Sequence, residues 1–126
     1  MKVVILYQDD RSDADQAAQA LSEIADSTRC ERAADLLEGD ANAGDADLLM
    51  VVAQTYRERE AREVCERLCE DGSGLRDTPL LVAVNVYQMP LANRVKELPM
   101  SHFVFRPVDP ADVKKRVRML TDAPQE

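Results

Sequence analysis

The chain is poor in the residues from which most small-molecule sites are built. It has four glycines, none in a Gly-x-Gly-x-x-Gly pattern, so no phosphate-cradling loop is present. Its single histidine, His102, leaves no visible nucleophile beside a base. Three cysteines, Cys30, Cys65 and Cys69, are an odd number without Cys-x-x-Cys spacing, which indicates neither a disulfide framework nor a zinc knuckle. Cys65 and Cys69 lie one helical turn apart, but two further metal ligands are missing, and packing in or near the core is their plainer use. No apolar run approaches the ~20 residues of a membrane span. The first residues enter an apolar run without a basic region or a cleavage site, so no signal peptide is expected and the protein is expected in the cytoplasm. Basic side chains are outnumbered 16 to 24, and the resulting net charge of -8 opposes general binding to nucleic acid or to an anionic membrane. A protein partner fits that balance better.

What is present is an ordinary soluble composition, 45% hydrophobic and 32% charged, in 126 residues. That length suits one domain that buries roughly two thirds of its unfolded surface. Val3-Val4-Ile5-Leu6-Tyr7 is a continuous apolar run of the kind expected of a central parallel strand. From Asp13 onward Ala14, Ala17, Ala18, Leu21, Ile24 and Ala25 recur at helical spacing. Ser27 to Arg32 reads as a weak, edge-type strand and Ala33 to Glu38 as a short helix ended by Gly39. A polar loop leads to the clearest buried strand, Leu48 to Ala53. A helix over Arg57 to Glu70, with Ala61, Val64, Cys65 and Leu68 inward, precedes a fourth strand, Leu80 to Val84. Pro90 to Leu98 supplies another helix.

The chain closes on Phe103-Val104-Phe105-Arg106-Pro107, then Val108-Asp109-Pro110 and a helix whose inner face carries Val113, Val117 and Leu120. Asp109 suits the N-cap because its carboxylate accepts orphan amide protons, and Pro110 suits the first helical position. Strands alternating with helices predict an α/β fold, a doubly wound, flavodoxin-like parallel sheet of order 2-1-3-4-5 with helices on both faces. The domain is expected over residues 1–120, with 121–126 as a tail or the start of a linker.

The strand ending in Arg106-Pro107 and the basic helix after it resemble the last strand and helix of the receiver domain of bacterial response regulators, where the pair is Lys-Pro. The resemblance covers nearly the whole chain at the level of element order. It implies a signalling function, an acidic pair after the first strand, a phosphate-accepting aspartate after the third, a hydroxyl after the fourth and a lysine after the fifth. It also implies a cis peptide before Pro107. Laying the first helix onto the family pattern puts Asp9 and Asp10 on the acidic pair, whereas the strand's own register puts Tyr7 and Gln8 there. After the third strand Val52, Ala53 and Gln54 offer no carboxylate, so no acyl phosphate forms. Val84 stands where the hydroxyl belongs, with Asn85 after it, and Arg106 replaces a compact ammonium with a fork-shaped guanidinium. Phe103 occupies the place of the aromatic switch residue. Asp9 or Asp10 is the expected companion of Arg106.

The reading that follows is a pseudo-receiver, a non-enzymatic module of two-component-type signalling. Asp9 and Asp10 alone would bind Mg²⁺ weakly at best, and no other cofactor is expected. By the resemblance, a protein partner or a homodimer would use the last two helices and last strand, with Arg94, Val95, Leu98, Phe103, Val113, Lys114, Val117 and Arg118 as candidates. A fused output domain is a further expectation. Two alternatives stay open: a small-ligand or anion sensor built on Gln8, Gln54, Val84, Asn85 and Arg106, and a flavodoxin-like enzyme.

Overall fold

The computed structural model describes residues 2–8, 11–37, 46–53, 58–68, 78–98, 101–106 and 108–122. Five strands alternate with five helices: β1 (Lys2–Tyr7), α1 (Ser12–Leu21), β2 (Ser27–Arg32), α2 (Ala33–Leu37), β3 (Leu48–Val52), α3 (Glu58–Leu68), β4 (Leu80–Val84), α4 (Met89–Glu97), β5 (Ser101–Phe105) and α5 (Pro110–Asp122). The strands form one parallel sheet of order β2-β1-β3-β4-β5, as the alternation requires. Tyr7 lies opposite Val52 and Val84 opposite Phe105, so the strands end nearly level.

Every residue of β3 and β4 is buried, because these central strands are covered on both faces. The two-residue period of a strand divides their side chains between two cores. Leu6, Val51, Val82 and Val84 face Ala61 and Val64 of α3 and Leu91 and Val95 of α4. Ile5, Met50, Val52 and Ala83 face Ala14, Ala17 and Leu21 of α1 and Val113 and Val117 of α5. The helices therefore split between the faces, α1 and α5 on one side and α3 and α4 on the other.

The two edges differ. β2 carries charge along its length, and β5 carries none. α1 ends at Leu21, earlier than its apolar spacing predicts, because Ser22 donates its hydroxyl to the Gln19 carbonyl and the amides of Ile24 and Ala25 both turn back to the Leu21 carbonyl. Ile24 and Ala25 still pack on the core, which is why their spacing reads as helical. α5 starts as expected: the Ala111 amide donates to the Asp109 carboxylate at 3.1 Å. It runs to Asp122.

Candidate functional site

In a sheet of this order a site forms where the strands end, at their carboxyl side. Arg106 follows β5, and its amide donates to the Val84 carbonyl at 2.7 Å, which continues the ladder and fixes the side chain over the end of the sheet. Its Nε donates to Asp13 Oδ2 at 2.5 Å and its Nη1 to the Ala53 carbonyl at 2.8 Å. Ala53 is itself tied to β4, its amide donating to the Ala83 carbonyl. One guanidinium thus joins β5, the first turn of α1 and the end of β3. Asp13 is only 6% exposed, and its carboxylate also sits in the first turn of a helix, where the dipole favours negative charge.

The neighbouring polar groups are also engaged within the chain. Gln8, 2% exposed, leaves β1 and donates from Nε2 to Glu60 Oε1 of α3 at 2.8 Å. Gln88, fully buried before α4, accepts the Asn85 amide at 2.7 Å, while its own amide returns to the Asn85 carbonyl. Asn85 Oδ1 accepts the Tyr87 amide at 3.1 Å. Among the described residues no buried side-chain nitrogen or oxygen lacks a partner. Among the described residues the end of the sheet is knitted by side-chain and backbone hydrogen bonds.

The expected site residues are redistributed accordingly. Asp9, Asp10, Gln54 and Pro107 lie outside the described residues. Val84 is wholly buried against α4 and lines nothing. Asn85 accepts from within its own loop, and Gln8 donates to Glu60 of α3. The partner found for Arg106 is Asp13, where Asp9 or Asp10 was expected. Nothing in the sequence separates Asp13 from other carboxylates at helix starts. Asp9 and Asp10, the carboxylates expected to meet magnesium, lie outside the described residues, and among the described residues no cluster of three candidate ligands occurs.

The expected contact surface also changes. Val95, Val113 and Val117 are fully buried in the chain's own core and Leu98 is nearly so, which leaves them nothing to offer a partner. Arg94 turns toward α3, pairing with Glu66 and Glu97, and Lys114 turns toward α1, pairing with Glu23 at 2.6 Å. Phe103 stays half-buried beneath Lys96, whose ammonium lies 5.4 Å from the ring centroid, and Arg118 stays exposed. The exposed large apolar side chains among the described residues are Val86, Tyr87, Met89, Phe105 and Met119. They belong to the β4–α4 turn, the start of α4, the end of β5 and α5; α4 and α5 both pack against β5, and these elements are together called the flank below. Phe103 and Phe105 meet edge to face at 5.5 Å on that flank.

The two described cysteines are packed into the chain. Cys65 is buried under α3, and Cys30 is half-buried in β2, where burial pushes its thiol pKa up. Cys69 lies outside the described residues. No described helix is long and apolar enough to cross a membrane.

No family model matches the chain, and no curated protein does. Solved structures do. The chain is similar to the bacteriophytochrome response regulator RtBRR, with a TM-score of 0.71 at 18% identity over 96% of this chain and 78% of that one. It is similar to the bacteriophytochrome response regulator AtBRR, with a TM-score of 0.69 at 17% identity over 95% and 92% of the two chains. A receiver domain of a signal transduction histidine kinase from Syntrophus aciditrophicus gives 0.70 at 16% identity over 96% and 90%. The fold is that of the receiver domain.

Proposed function

We propose that this chain is a receiver-fold signalling module that does not take up phosphate and works, without catalysis of its own, through contacts with another protein. The observation that carries the reading is the position of Arg106. A receiver needs an acceptor carboxylate and a metal at the end of β3, and a mobile cation that answers the new phosphate. Here Val52 and Ala53 end the strand, a guanidinium bonds the Ala53 carbonyl, and that guanidinium is itself paired to Asp13. The fully buried Val84 has no hydroxyl to follow a phosphate. The exposure of Tyr87, Met89, Phe105 and Met119, on elements at or beside β5, supports protein contact, since exposed large apolar side chains are what an interaction surface offers. A protein partner or a second copy would cover them.

The test is an amide NMR titration with Mg²⁺ and beryllofluoride, a phosphoryl mimic. No localised shift is expected at Asp13, Ala53 or Arg106. Saturable shifts there would overturn the loss of phosphotransfer and restore a ligand-responsive pocket.

A further inference from the structure

Between β4 and α4 the chain turns through Asn85-Val86-Tyr87-Gln88, and much of that turn is held by its own side chains. The Gln88 amide donates to the Asn85 carbonyl at 2.9 Å, which closes the turn, and the Tyr87 amide donates to Asn85 Oδ1 at 3.1 Å. The Asn85 amide donates to Gln88 Oε1 at 2.7 Å. Gln88 thus fastens the first residue of the turn with its side chain and closes the turn with its backbone.

The direction of that side chain is a choice made by the fold. Gln88 stands at the N-cap of α4, where a polar side chain ordinarily accepts an amide of the first helical turn. It makes no such bond here: Pro90 has no amide to offer, and the carboxamide reaches back to Asn85 instead. Exposure divides sharply within these four residues. Gln88 is 0% exposed, while Val86 and Tyr87 beside it are 54% and 82% exposed. A buried carboxamide oxygen that leaves its donor strands both groups away from water, so the turn has one favourable arrangement.

We infer that Gln88 is a positioning residue for the flank, presetting the β4–α4 turn in the arrangement that holds Val86 and Tyr87 in water, with no signal from the sheet end required. The inference rests on the protein-contact reading and supplies its regulation: the turn is ready for a partner at all times. Preorganisation of this kind lowers the ordering cost of binding. Val84, the last residue of β4, is fully buried and apolar, so its side chain gives the sheet end no polar group with which to pull on the turn. The Arg106 amide reaches the Val84 carbonyl by a backbone bond that does not depend on its guanidinium.

The experiment measures amide exchange at Asn85, Tyr87 and Gln88, with relaxation dispersion over the same turn, in the full chain and in Gln88→Met, Gln88→Glu and Arg106→Met. Core amides of β3 in each variant separate a local change from lowered global stability. Methionine fills the buried space without an oxygen. The Asn85 amide should then exchange roughly tenfold faster relative to the β3 amides, as befits a lost hydrogen bond, and the turn should show microsecond-to-millisecond broadening. Glutamate keeps an acceptor opposite the Asn85 amide, so at neutral pH the protection returns. Arg106→Met keeps an apolar stem and deletes both guanidinium bonds, and protection of the turn stays at the parent value. Unchanged protection of Asn85 in Gln88→Met, or equal exchange in the methionine and glutamate variants, would overturn the role of Gln88. Faster exchange or new broadening at Tyr87 and Gln88 in Arg106→Met would show that the sheet end sets the turn and would overturn the presetting. Contact through the flank is read separately, by sedimentation of Tyr87→Ala, which leaves the backbone bonds of the turn in place. Failure of the protein-contact reading would appear there and not in the exchange of the turn.

Discussion

The carboxyl end of the sheet and the flank beside β5 handle exposure in opposite ways. At the sheet end, Gln8, Asp13 and Gln88 are taken out of water and each is answered from within the chain. On the flank, Tyr87 is 82% exposed, and Val86, Met89, Phe105 and Met119 are exposed with it. A fold of this kind usually keeps its moving parts at the sheet end. Here the described groups at that end are bonded within the chain, and the described apolar side chains left in water belong to the flank. On the reading proposed above, the first serves as a scaffold and the second as a place for recognition.

Replacing Arg106 by alanine is the change that most sharply breaks this contrast. It strands Asp13 in a buried position and frees the Ala53 carbonyl, and removing one partner of a buried pair costs about 3–5 kcal/mol. Urea unfolding of R106A should show that loss, with association through the flank unaltered in the folded fraction. Asp13→Asn should cost less, because a neutral oxygen still accepts from Nε.

The converse variant, Tyr87→Ala with Phe105→Ala, should cost only about 1 kcal/mol of stability, chiefly the edge-to-face contact of Phe105 with Phe103. Sedimentation velocity should nevertheless show weakened self-association or partner binding. A double variant that unfolds early while binding unchanged would place the recognition surface elsewhere.

The smallest effect is electrostatic and lies at neither region. Glu23 bonds Lys114 across α1 and α5, and that bond, ahead of the charge of Lys114, holds its carboxyl below the usual range. A depressed pKa contributes stability that is present above the unfolded value of about 4.3 and is lost as pH falls through the folded value. Because Glu23 is exposed, the contribution is slight. The urea midpoints of Glu23→Gln and the parent should differ a little at neutral pH and converge in acid.

Much of the fold was legible because it rests on local period. The continuous apolar runs of β3 and β4 fixed them as central, and the charged β2 as an edge. Legibility failed where a side chain had to choose among equivalent partners. Arg106 and Asp13 are 93 residues apart, and Asp9 and Asp10, a few residues earlier in the chain, offered the same carboxylate. It failed again on the flank. Val113 and Val117 were expected both in the core and at an interface, and a helix that buries them fully cannot also present them.

Residue identity and spacing alone determined the order of elements, the lack of a carboxylate ending β3 and the lack of a hydroxyl at Val84, because each depends on what stands where along the chain. Tertiary structure alone decided that Arg106 is tied to α1 and β3 and which faces of α4 and α5 remain in water. Those outcomes depend on how far each helix is rotated about its axis and on which atoms come within hydrogen-bond reach across the sheet, and neither quantity has a local signature.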